Sequence, residues 1–201
     1  MKVIINKLLL ASSLLTTGIL LPQSAYAEAP AATKTAVVMD NLSKYGLEKT
    51  QELPITVTAG GLSYTLHKIM IYDWNSKDAQ NLIKFYQFPT DGGFVANPTH
   101  FIWTKITIEN KGKFKAQRNA DSLREKWWLF MGDTQAGALY SAKNFYKNDA
   151  ADALSTWDLL PGEKLTTYQA LSYRGTLPSL DVIVDFAGSV KVVKLADKPA
   201  N

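Results

Sequence analysis

Asp181 and Asp185 fall on the same side of the extended run SLDVIVDF, with Ile183 between them. Two carboxyl groups on one face of a β-strand could serve as acid and base, or acid and nucleophile, of a polysaccharide-acting hydrolase. The same spacing describes a solvent-facing row on a half-buried strand, and that plainer account is preferred. The two histidines, His67 and His100, come without a single cysteine. A tetrahedral zinc site would have to be completed by carboxylates, and no HExxH spacing is present. His67 sits in a strand with a core face and reads as structural. Asp73, Asn75 and Asp78 could ligate calcium from a loop, but the series lacks the glycine and final bidentate glutamate of an EF-hand loop. No GxSxG elbow marks a nucleophilic serine. The expectation is a non-enzymatic protein with no cofactor.

Binding chemistry has stronger candidates. From Lys105 to Lys126 there are seven basic residues (Lys105, Lys111, Lys113, Lys115, Arg118, Arg124, Lys126) against Glu109, Asp121 and Glu125. Such a local excess could steer the protein to anionic wall polymers or lipid headgroups, although a solvated loop has the same composition. Lys111, Lys113, Lys115 and Arg118 are the candidate contacts. A second group is aromatic: Trp74, Phe85, Tyr86, Phe88 and Phe94 crowd residues 73–99, and Trp103 lies on the outward phase of its strand. Exposed rings bind sugars or protein partners through a flat face of low conformational entropy, with Trp74, Tyr86, Phe88 and Trp103 as the candidate platform. The alternative is a satellite core beneath a long loop.

Period-two alternation dictates the elements that hold these groups. PITVTAGGLSYTLHKIMIYD reads as two strands joined at Gly60-Gly61. Leu62, Tyr64 and Leu66 share one phase while Ile69 and Ile71 continue on the other, so a β-bulge or a change of buried face is expected near His67 and Lys68. Asp78 to Tyr86 could form a helical turn. In FIWTKITIENKG, Ile102, Thr104, Ile106 and Ile108 form one face, and Asn110 and Gly112 supply the turn that ends the strand. Further strands are expected at WWLFMGD, ALYSAK, LTTYQALSY, SLDVIVDF and SVKVVKL, the last two as a hairpin through Ala187-Gly188. Trp127 and Trp128 must point to opposite faces. About eight strands separated by Gly/Pro turns indicate an all-β sandwich.

The N-terminus speaks to compartment. Lys2 and Lys7 precede the run LLLASSLLTTGILL, and Ala25 and Ala27 stand at the positions a signal peptidase reads. Residues 1–27 are expected to be a signal peptide, the run being shorter and more diluted by Ser, Thr and Gly than a spanning helix. Residues 28–52 are expected to be a flexible N-terminal segment, and 53–197 the folded domain, with no transmembrane span in the mature chain. With no cysteine there is neither a lipid-attachment site nor a disulfide framework. Losing Lys2 and Lys7 lowers the net charge from +4 to +2. That gives no case for nucleic acid as a partner.

The order ITIENKG (Ile106–Gly112), LFMGDTQAGALYSA (Leu129–Ala142), PGE (Pro161–Glu163) and LDVIVDF resembles a family of uncharacterised immunoglobulin-like domains. These occur on secreted and lipid-anchored Gram-positive proteins and share a fold with a small secreted mycobacterial antigen. The resemblance covers residues 53 to 195 and rests on turn chemistry, and the 73–99 stretch looks like an insertion in it. It implies an immunoglobulin-like β-sandwich acting outside the cytoplasm as a non-enzymatic binding or accessory module. The expected partner is a cell-wall polymer or an extracellular protein. A hydrolase using Asp181 and Asp185, or a secreted effector or matrix protein, are the competing readings.

Overall fold

The computed structural model describes residues 37–118 and 126–199. The expected signal peptide lies outside these residues. Twelve strands and one α-helix are present among them: β1 (Glu48–Lys49), β2 (Ile55–Ala59), β3 (Leu62–Asp73), α1 (Lys77–Tyr86), β4 (His100–Asn110), β5 (Ala116–Arg118), β6 (Trp127–Met131), β7 (Thr134–Gln135), β8 (Gly137–Leu139), β9 (Trp157–Leu159), β10 (Lys164–Tyr173), β11 (Ser179–Phe186) and β12 (Ser189–Asp197). The excess over the expected eight consists of pieces two or three residues long.

Two five-stranded antiparallel sheets form, in the orders β2-β3-β4-β10-β8 and β1-β12-β11-β6-β7, beside a small β5-β9 pair. Their inner faces share one core. Ile55, Tyr64, Ile102, Ile106 and Leu171 from the first sheet meet Trp127, Leu129, Val182 and Val184 from the second. The architecture is an all-β sandwich, as the alternation requires. β11 and β12 turn at Ala187 and Gly188, both with positive φ, a two-residue hairpin.

The Asn-Lys-Gly stop is structural. Asn110 is buried, and its Nδ2 donates to the carbonyls of Phe114 (2.8 Å) and Leu159 (2.9 Å) while its Oδ1 accepts from Gly112 N–H. Its main chain takes a hydrogen bond from Gly162 and gives one to Glu163, so the PGE turn docks on the same residue. Lys111 N–H donates to Gly61 C=O, which brings in the β2–β3 hairpin. Gly60 must be glycine there: its φ is +55°, and a Cβ would lie 1.9 Å from the Phe186 carbonyl oxygen.

Residues 37–52, expected to be flexible, are docked. Asn41 exchanges two hydrogen bonds with the main chain of Ile71, Tyr45 Oη donates to the same carbonyl, and Leu42 and Leu47 enter the core. The 73–99 stretch forms α1, capped by Ser76 Oγ, which accepts from Ala79 N–H. The helix lays Ala79 and Ile83 on the outer face of the first sheet. A second core results, of Trp74, Phe88, Phe101, Trp103, Leu139 and Ala170.

Candidate functional site

The outer face of β3, β4 and β10 is built in cross-strand rows. Tyr72 lies opposite Phe101. Met70, Trp103 and Ala170 form the next row, then Lys68, Lys105 and Tyr168, then Thr65, Thr107 and Thr166. The expected bulge is present: the β3–β4 register shifts between Leu66 and Lys68, with His67 the extra residue. Its consequence is chemical. Without it Lys68 would share the inward phase of Leu66; with it, Lys68 lies outward and directly across from Lys105.

Around this pair the surface is concave. One bay of about 390 Å³ is lined by Lys68, Met70, Tyr86, Trp103, Lys105 and Tyr168. An adjoining bay of about 360 Å³ adds Met39, His67, Thr107 and Thr166 and shares Lys68, Lys105 and Tyr168. Both lysines are half-buried, and among the described residues neither is in an ion pair. The rings are ordered. Trp103 and Tyr168 lie 5.3 Å apart with planes 10° from parallel, and Tyr86 is 5.3 Å from Trp103. Along the opposite wall, His67 Nε2 and Thr107 Oγ1 are 2.8 Å apart, and Thr107 Oγ1 is 2.8 Å from Thr166 Oγ1. Burial, and then the Lys105 ammonium, lower the His67 pKa below its ordinary value. The neutral form of His67 is thereby favoured, and it takes part in a hydroxyl chain.

The structure redistributes the candidates of the sequence. Trp74, Phe88 and Trp103 are only 7, 4 and 9 % exposed, so they are packing groups of the second core rather than a free platform. The physical reason is α1, which covers the sheet face that alternation left apolar. Tyr86 is half-buried and does reach the groove. Phe85 and Phe94 are exposed. The basic face does not assemble either. Lys111 pairs with Glu109 at 3.6 Å and Lys115 with Asp158 at 2.6 Å, and of the four only Lys113 is exposed without an ion pair among the described residues. Arg118 is 4 % exposed and lies 4.6 Å from the Trp127 ring, with Tyr140 beside it; burial lowers its pKa. It is an interior cation, drawn inward because β5 alternates and Ala116 and Arg118 share the buried phase. Arg124, and the acidic Asp121 and Glu125, lie outside the described residues.

Asp181 and Asp185 occupy the outer face of β11, four residues apart, which places their Cα atoms about 13 Å from each other. Glycosidase carboxyl pairs stand about 5–9.5 Å apart. Asp181 faces Lys194 across the β11–β12 pair; burial raises its pKa and Lys194 partly opposes this. Asp73 ends β3 and pairs with Lys44 at 3.9 Å, while Asp78 sits in the first turn of α1. Among the described residues no group of three His, Asp or Glu could hold a metal ion, and no helix is long and apolar enough to cross a membrane.

Sequence reasoning missed Lys68 with Lys105 as a pair, and Tyr168 beside them. The bulge was the available signal, but the partner of Lys68 depends on pairing with a strand nearly forty residues away.

No protein-family model matches this chain, and no curated protein sequence matches it. Three solved structures are similar in shape. The yjhA protein of Bacillus subtilis is 13 % identical, with a TM-score of 0.44, over 70 % of this chain and 95 % of its own. A candidate lipoprotein of the same species, ycdA, is 8 % identical at 0.44, over 74 % of this chain and 40 % of its own. A functionally unknown protein of Listeria monocytogenes is 12 % identical at 0.43, over 77 % of this chain and 88 % of its own.

Proposed function

We propose that this protein is a secreted, non-enzymatic binding module of immunoglobulin-like type that meets a component of the cell envelope or an extracellular protein. The groove on the outer face of β3, β4 and β10 is its binding surface. Export rests on the arrangement of Lys2, Lys7, the apolar run and Ala25/Ala27. One observation carries the binding role: two half-buried lysines face each other in a concave, aromatic-lined site without a carboxylate partner among the described residues. Pockets with a few convergent polar groups on an apolar floor are the usual form of a ligand site.

The test is retention of the exported chain on isolated cell walls, with and without their anionic polymers, across a salt series. Retention that falls with salt and is lost in Lys68→Gln/Lys105→Gln supports the groove. Retention that instead depends on Lys113 and Lys115 overturns it. Asp181→Asn/Asp185→Asn leaves a binding module intact and abolishes a hydrolase that uses this pair.

A further inference from the structure

We propose that the groove takes an anionic sugar, with its phosphate or carboxylate held between Lys68 and Lys105 and its ring laid against Tyr168. This rests on the reading of the groove as the binding surface. The first argument is the bulge. Like charges directly opposite on neighbouring strands destabilise a sheet, and here the bulge at His67 is what creates the opposition. A local conflict of this kind, built by a specific backbone device, is characteristic of a functional site. The one carboxylate on the same face of β4 offers no relief. Glu109, four residues beyond Lys105, is already held by Lys164 at 3.3 Å and Lys111 at 3.6 Å. Among the described residues the pair has no carboxylate partner, and an anion from solution is the complement it would take. Half-burial strengthens the attraction it would feel.

The second argument identifies what carries the anion. Tyr168 lies directly across from Lys105 and parallel to Trp103, so a flat ring face begins where the charges end. Stacked aromatic faces accept the C–H side of a sugar ring. On the other side of the lysines, the His67–Thr107–Thr166 chain offers hydroxyls and a neutral imidazole, groups that both donate and accept and so match sugar hydroxyls. Tyr86 from α1 and Met39 from the N-terminal segment close the two ends. Each bay falls within the range of small-ligand pockets, about 300–1,000 Å³.

The experiment titrates the exported chain with glucose 6-phosphate, glucuronate, inorganic phosphate and glucose, followed by calorimetry and by amide shifts at β3, β4 and β10. Both sugar anions are expected to bind, inorganic phosphate more weakly, and glucose not measurably. Lys68→Gln/Lys105→Gln should weaken both sugar anions by about tenfold or more without lowering the melting midpoint. Tyr168→Ala should weaken the sugar anions while leaving inorganic phosphate unchanged. A preference for glucose 6-phosphate over glucuronate assigns phosphate as the anion, and the reverse assigns carboxylate. Equal binding of glucose and its anions, or affinity unchanged in the double lysine variant, overturns the proposal. If no sugar anion binds but wall retention still needs Lys68 and Lys105, the ligand class is wrong and the groove stands. If retention is also independent of them, the groove itself is refuted.

Discussion

The outer face of the β2-β3-β4-β10-β8 sheet is treated differently at its two ends. At one end the rows are apolar, Tyr72 with Phe101 and Met70 with Trp103, and α1 with Phe88 closes over them. At the other end the rows are Lys68 with Lys105 and Thr65 with Thr107, and among the described residues no helix covers them. The same strands thus build a second core and an open groove, which adjoin where the Met70–Trp103 row meets the Lys68–Lys105 row. The difference shows that the 73–99 segment serves two purposes: its inner aromatics stabilise, and Tyr86 at the end of α1 walls the groove.

The sharpest way to break this contrast is to truncate a ring at the covered end. Phe88→Ala should destabilise the domain by about 3–5 kcal/mol in a denaturant melt, because Phe88 is buried against Phe101 and Trp103. Phe85→Ala, three residues away on an exposed side chain, should stay within about 0.5 kcal/mol. Equal effects would mean that α1 is not anchored as described. A smaller loss, about 1–3 kcal/mol, is expected for Asn110→Ala, which strands the buried carbonyl of Leu159. Asn110→Asp should be worse, since a carboxylate cannot donate to the Phe114 and Leu159 carbonyls.

The open end should respond in the opposite sense. Lys68→Gln/Lys105→Gln removes a like-charge pair and should leave stability unchanged or raise it by up to about 1 kcal/mol. The same variant should lose ligand. Stability and binding moving in opposite directions is the signature of a site; a loss of stability with the double substitution would make the lysines structural.

Much of the fold was legible in the residues because period-two alternation is local. Ile102, Ile106 and Ile108 do line the sandwich core with Thr104 buried among them, and the phase break between Leu66 and Ile69 did require a bulge. The site was less legible. Lys105 was visible only as one member of a basic run, and nothing within that run shows that Lys68 faces it. Arg118 was misplaced for a related reason: its burial depends on Trp127 of β6 and on Tyr140, just past β8. The aromatics of 73–99 fit either a platform or a satellite core, and their shared partner, the outer sheet face, which decides for the core, could be recognised only once β3, β4 and β10 were paired.

His67 offers the finest test, because it is the bulged residue that sets Lys68 opposite Lys105. Its imidazole and that of His100 titrate below the ordinary 6.5, chiefly through burial. Between that folded value and 6.5 the unfolded chain binds more protons, so stability is complete above the window and is lost as pH falls through it. Glucuronate, whose carboxylate keeps its charge over this range, pulls the other way when bound between Lys68 and Lys105: it favours protonated His67, so its affinity should rise as pH drops through the same range. His67→Asn should remove that rise and reduce the acid-side loss of stability, leaving the share that belongs to His100. An affinity profile that is flat from pH 7.5 to about 5 in the wild-type chain would place the bound anion away from His67, and so away from the lysine row.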